Sequence, residues 1–464
     1  MPRTPNNPAA LERARAFIDS KQELFREQLL ELLRIPSVSS DSRQLDAMKT
    51  CADLVRQRVA DAGLDAEIIQ TNGHPVVYGE HRGTEGGPTL LVYGHYDVQP
   101  AELKDGWSHP PFEPVVKNGN VIARGATDDK GQALALLNGV HAAIESDVGR
   151  DVTIKFLIEG EEEVGSANLL PFVRAQKERL KADAVVIADC SQLGRDRPAI
   201  TYGLRGITSL ELVVRGPKED LHSGYYGGAV SNPANILARI VNACQAPFGK
   251  IGIPGFYDQV RELSDEERGE IAALPFDADG FLREAGSPEF FGEEGYSTLE
   301  RRWVRPSFDI NGLVSGHTGE GGKTVLPREA RAKISMRLVP DQDPDKILAL
   351  TTEFLLSLVP SSVEAEVISG HGAKPFVADR SLPALKAAAT AIEIGFGHSP
   401  VFIREGGSIP VVNTFREELG IDSVLIGLGL PDDGAHGPDE KFSLTDFQRG
   451  MMTMAALMDQ VSRT

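Results

Sequence analysis

The chain of 464 residues is short of cysteine, of long apolar runs and of positive charge. Its three cysteines, Cys51, Cys190 and Cys244, are too few and too odd for a disulfide framework, so a reducing, cytoplasmic setting is expected. No apolar stretch approaches the roughly 20 residues of a membrane-spanning helix. The opening segment, MPRTPNNPAALERARAF, lacks the apolar centre of a secretory leader, so none is expected. Lys and Arg number 48 against 67 Asp and Glu, a formal net charge of −19. That balance argues against nucleic acid and anionic membrane as partners, since both require basic surface. No internal repeat or low-complexity tract stands out. What remains is an ordinary globular composition in a chain longer than one core usually supports, so two or three domains are expected.

The hydrophobic patterning is that of an α/β layer. Residues 7–34 read as an amphipathic helix on Ala10, Phe17, Phe25, Leu29 and Leu33, ending before Pro36. Four continuous apolar runs follow, at 89–93, 152–158, 184–188 and 424–426, each bounded by turn residues. Such runs fit strands buried on both faces by helices. A helix over 130–145, with Leu134, Leu137, Val140, His141 and Ile144 on one face, separates the first two. The middle of the chain has another rhythm: strands at 207–215, 330–339 and 363–368, with helices opening at Asn232-Pro233 and Asp343-Pro344. This resembles a small split βαβ sandwich. The acid- and glycine-rich segment 254–300 reads as a helical insertion. An alanine-rich helix from about Leu382 leads back to the fourth apolar run, so the first domain is discontinuous, with a lid inserted in it.

In an open α/β sheet, ligands bind beyond the carboxyl ends of the strands. Three of the apolar runs deliver a metal-ligating residue there: His95, then Glu161-Glu162-Glu163, then Asp189. The fourth opens the loop PDDGAHG, which carries His436, and Asp128 sits at the start of the helix near Lys130. Each is ordinary alone: a lone His is usually surface or core, and a run of acids is usually a solvated helix start. Their shared topological location is what points to a metal site. Two imidazoles, a bridging carboxylate and two terminal carboxylates suit a pair of divalent cations, with zinc favoured and manganese or cobalt as alternatives. Asp128 would bridge ions about 3.5–4 Å apart. Glu162, next to a ligand, is placed to act as general base. Asp97 would accept the second N–H of His95 and fix its tautomer, and Asp129 would orient backbone nearby. Cys190 neighbours Asp189 but faces the other side of its strand.

Five motifs, YGHYDVQP (93–100), ARGATDDKGQ (123–132), IEGEEEVGS (158–166), IADCS (187–191) and DDGAHG (432–437), resemble the dinuclear metallopeptidase family. That family includes carnosinase, aminoacylase, acetylornithine deacetylase, succinyl-diaminopimelate desuccinylase and carboxypeptidase G, and the similarity covers nearly the whole chain. It implies an α/β catalytic domain with a mixed sheet covered by helices (residues 1–204 and 388–464). An inserted α+β lid that also dimerises is implied for 205–387. It pairs His95 with Asp189 on one ion and Glu163 with His436 on the other, Asp128 bridging, and implies a cis Asp128–Asp129 bond.

Within the family, Asp189 as a ligand, the segments DLHSGYYGG (220–228), SMRLVP (335–340) and REGGSIP (404–410), and the insertion resemble the carnosinase type. This implies that His222 reaches into the site of the other subunit of a homodimer and supports the oxyanion. Arg337 and Thr324 would face the substrate's C-terminal carboxylate, Glu405 its free α-amine, with Ser408 beside them. The expected activity is hydrolysis of dipeptides or short peptides. The alternatives are an N-acyl amino-acid deacylase or carboxypeptidase of the same family, or a non-catalytic binder of small molecules.

Overall fold

The computed structural model describes residues 7–462, the side chains of Glu284 and His371 excepted. The backbone gathers into two compact units. The first comprises Met1–Tyr202, Ala378–Ile403 and Pro410–Thr464; the second comprises Gly203–Val377 and Arg404–Ile409.

The first unit is built on a mixed sheet. Its order is Asp65–Ile69, Val76–His81, Thr153–Glu159, Thr89–His95, Ala184–Ser191, Ser423–Gly429, Ala199–Leu204. The four apolar runs are the four central strands, and they are mutually parallel. Their residues are buried almost without a break, as continuous apolar runs require when helices cover both faces. The flanking strands are antiparallel. Asp65–Ile69 escapes a reading by pattern because its residues are half-buried or exposed.

The expected helix over 7–34 is two helices, Pro8–Ser20 and Gln22–Leu33, broken at Lys21. The break has a packing reason. The Phe17 and Phe25 rings both lie against His141, at 5.2 and 6.1 Å between centroids. Eight residues along a straight helix would carry them about 12 Å apart. The helix Lys130–Glu145 is buried on nearly every side, beyond the single apolar face expected, because Leu444–Val461 packs on it as well. Gly139 permits this approach: a Cβ there would lie 2.4 Å from the Met451 carbonyl oxygen.

The second unit is α+β. A four-stranded antiparallel sheet runs in the order Ser307–Ser315, Glu329–Leu338, Gly206–Arg215, Glu364–Ala373. The helices Pro233–Ala243 and Pro344–Ser357 bury Ile236, Leu237, Ile240, Ile347 and Leu355 against Leu210, Leu212, Ile334 and Met336. The chain order β-α-β-β-α-β is the split βαβ arrangement. Its edge strand Ser307–Ser315 lacks the clean alternation of a half-buried strand, since Ile310, Leu313 and Val314 are exposed. The segment 254–300 is helical in part, through Asp265–Ala273, Ala278–Ala285 and Thr298–Trp303. Among the described residues, no helix is long and apolar enough to cross a membrane.

Candidate metal centre

Parallel strands bring their carboxyl ends to one edge of the first unit. Thr89–His95 ends on His95, in register with Glu159 at the end of its neighbour. Ala184–Ser191 carries Asp189 near its end, and Ser423–Gly429 leads into the loop of His436. Asp128 lies just before the helix Lys130–Glu145, and its peptide bond to Asp129 is cis. Gly94 makes room for this turn, since a Cβ there would meet an Asp129 carboxylate oxygen at 2.8 Å and the Ala133 Cβ at 2.9 Å.

Two trios of side chains result, and they share one member. His95, Asp128 and Asp189 each offer a ligand atom within 4.8 Å of the others, and so do Asp128, Glu163 and His436. Asp128 turns one oxygen to each imidazole: Oδ1 is 3.2 Å from His95 Nε2, and Oδ2 is 2.9 Å from His436 Nε2. His436 Nε2 also lies 3.2 Å from Glu163 Oε2. Among the described residues, no lysine or arginine pairs with Asp97, Asp128 or Glu163. Lys130, two residues beyond Asp128, donates its ammonium to the Leu32 and Ile35 carbonyls instead.

The donor set fits divalent cations. His95 Nδ1 donates to the Asp97 carbonyl oxygen at 3.0 Å, which leaves Nε2 as the lone-pair nitrogen. That Nε2 is buried, forms no hydrogen bond and faces carboxylates. With protein groups alone around it, burial opposes charge on His95, but the Asp128 and Asp97 carboxylates outweigh burial and raise its pKa. Hydrogen bonds to Asp128 and Glu163 push His436 up to about 10. Burial alone would raise Asp128, yet the His436 and His95 imidazoles that face its two oxygens hold its carboxyl well below the usual range. Protons and cations therefore compete for the same atoms.

The base candidate sits beside these trios and belongs to neither. Burial pushes the Glu162 carboxyl up to about 8, with His95 opposing and Asp189, Glu163 and Asp128 adding to the rise. Its turn, Glu162–Val164, is gripped from below. The Asp97 carboxylate, expected on the His95 ring, lies 3.4 Å from Nδ1, farther than the carbonyl of the same residue. It accepts the backbone N–H groups of Glu162 (3.2 Å) and Glu163 (3.1 Å). Asp129 accepts the His95 N–H at 3.3 Å. Gln99 donates its Nε2 to Glu163 Oε2 at 2.7 Å. Gln99 is not among the residues expected at the site, and its place inside YGHYDVQP is the one sequence signal for it. Cys190, like Cys51 and Cys244, is buried and forms no disulfide.

Glu159, below the same turn, is buried, and its bonds from the Tyr93 and Ser166 hydroxyls (2.6 and 2.9 Å) both end on Oε1. Burial pushes its carboxyl up to about 7, the Tyr93 bond opposing and the Asp97 charge adding. The folded protein thus holds a proton that the unfolded chain releases at about pH 4.3. Stability contributed here falls as pH rises from that value towards about 7. Glu159→Gln keeps the acceptor and removes the titration. Between about pH 5 and pH 8 the metal-free variant should gain on the order of 3 kcal/mol relative to the parent, read from paired thermal melts. Parallel pH profiles would refute burial as the cause.

The residues expected to bind substrate lie in the second unit and form two groups. Arg337 Nη1 donates to Ser408 Oγ at 3.2 Å, and that hydroxyl donates to the Arg205 carbonyl at 2.5 Å. Burial lowers the Arg337 pKa, with Asp309 opposing. Glu405 lies beside them in sequence, its carbonyl accepting the Arg205 N–H at 3.2 Å. His222 is exposed and pairs with Val325 in a short ladder, where the Thr324 carbonyl accepts the Ser223 N–H at 3.0 Å.

Comparison with known proteins bears on both units. The family model described as peptidase family M20/M25/M40 matches residues 91–460. The chain is 32% identical to the Cys-Gly metallodipeptidase dug1 of Schizosaccharomyces pombe over 98% of each chain. It is 32% identical to the solved structure of human carnosine dipeptidase 1, with a TM-score of 0.86 over 99% of this chain and 100% of that one. It is 31% identical to an M20 family metallo-carboxypeptidase, Sso-CP2 from Sulfolobus solfataricus, with a TM-score of 0.85 over 95% and 99% of the two chains.

Proposed function

The chain belongs to the peptidase family M20/M25/M40, and on that premise we propose that it is a dinuclear metallodipeptidase. It hydrolyses the peptide bond of dipeptides or short peptides that carry a free C-terminal carboxylate. The observation that carries the reading is Asp128, whose two oxygens each face a different imidazole. His95, Asp128 and Asp189 would hold one cation, and Asp128, Glu163 and His436 the other. Zinc suits this set, and manganese or cobalt would be accepted by the same donors. When bound, the cations polarise the scissile carbonyl, acidify the attacking water and offset the mutual repulsion of the carboxylates.

The remaining chemistry belongs to the chain. Glu162 accepts a proton from the attacking water on its carboxylate and returns it to the nitrogen of the leaving amine. Asp97 holds its backbone in place. The first unit is the catalytic domain and the second the lid. Arg337 binds the substrate's terminal carboxylate, aided by Thr324 and Ser408, and Glu405 pairs with the free α-amine. His222 supports the oxyanion from the other subunit of a homodimer. The setting is cytoplasmic.

The likeness to a metallo-carboxypeptidase favours a second reading, in which longer or N-blocked substrates are cut. One experiment separates the two. The enzyme loaded with zinc, manganese or cobalt is given a dipeptide panel with free and acetylated amino groups. Cleavage confined to free-amine dipeptides is expected, and Glu405→Ala should erase the preference. Equal turnover of acetylated substrates would hand the assignment to the carboxypeptidase or deacylase reading.

A further inference from the structure

We propose that Arg124 and Glu440 form a reciprocal clasp that positions His436 against Asp128 and thereby sets the affinity of the cation on the His436 side. The inference rests on the two-cation reading above. His436 needs external positioning. Its side chain is 56% exposed, so packing does little to hold it, and its backbone is in the left-handed region at φ 63. Its place is therefore set through the main chain of its loop.

Arg124 supplies that hold from the other loop. Its Nη2 donates to the carbonyls of His436 (3.1 Å) and Gly437 (3.2 Å), while Nη1 donates to Glu440 Oε2 at 2.8 Å. Glu440, four residues beyond His436, grips in the opposite direction. Oε2 also accepts the Gly125 N–H at 2.9 Å, and Oε1 accepts the N–H groups of Thr127 (2.8 Å) and Asp128 (3.0 Å). Both side chains are buried, 3% exposed for Arg124 and 0% for Glu440. Each loop thus carries the anchor of the other. Four donors converge on one carboxylate with no solvent to replace any of them. Neither residue touches the reacting atoms; both are positioning residues.

Glu440→Gln tests this with almost no change in volume. One oxygen becomes an amide N–H₂ that must face an N–H or a guanidinium, so at least one grip fails. Groups that orient ligands from behind typically change metal affinity about 10- to 100-fold. The experiment is a zinc titration against a competing chelator, on parent, Glu440→Gln, Arg124→Lys and His436→Ala proteins, with thermal melts of each metal-free form. The expected result is two zinc ions per parent chain and one tight ion in His436→Ala. Glu440→Gln should keep that tight ion and bind the second about 10- to 100-fold more weakly. Arg124→Lys, which keeps the charge and loses the fork onto two carbonyls, should shift in the same direction if Glu440→Gln does not fold. Unchanged affinity for both ions, or an equal loss at both as a general loosening would give, overturns the clasp. A parent that binds fewer than two ions defeats the two-cation reading instead.

Discussion

Glu162→Gln should lower kcat about 10²- to 10⁴-fold, the range a positioned general base contributes, while the protein still takes up two cations. The expectation follows from its place. Glu162 adjoins Glu163 in one short turn yet belongs to neither ligand trio. Its backbone N–H is bonded to Asp97 and survives the change, so Gln should occupy the same position. What is lost is the capacity to accept and return a proton. Steady-state kinetics on a cleaved dipeptide, with metal analysis of the same sample, checks both halves. Full turnover in the variant would remove Glu162 from the mechanism, and loss of metal would make it a ligand rather than a base.

Asp128→Ala should empty both cation positions together and abolish turnover. One carboxylate serves two trios, and each of its oxygens faces a separate imidazole. Removing it takes a donor from each trio and leaves His95 Nε2 and His436 Nε2 without their shared partner. Asp189→Ala and His95→Ala should by contrast deplete one ion and leave the other measurable. Metal content after dialysis, compared across the three variants, reads the difference. Two ions retained by Asp128→Ala would sink the bridging role, as would an enzyme still active after exhaustive chelation.

The four central strands were legible because continuous apolar runs leave little choice but burial on both faces. The candidate ligands were legible because four of the five lie in or just beyond those strands, and because they sit in motifs of a recognisable family. The Asp97 carboxylate was harder. Its spacing from His95 suggested a partner for the ring, and one oxygen lies 3.4 Å from Nδ1, but its oxygens also accept the N–H groups of Glu162 and Glu163, which are far away in sequence. The clasp of Arg124 and Glu440 was invisible for the same reason, since nothing local marks two charged residues as facing one another. The break at Lys21 was hidden because apolar spacing continues across it, and the His141 ring on which Phe17 and Phe25 both pack is far away in sequence.

By itself the sequence determined the donor chemistry of this protein, imidazoles and carboxylates without thiolate, and the alternation of strand and helix that carries them. Those are properties of side chains and of local spacing. Only the tertiary structure decided which Asp128 oxygen meets which imidazole and which carboxylates hold the loops beneath them. Those distances depend on the register of parallel strands and on loops that come together only when the chain folds.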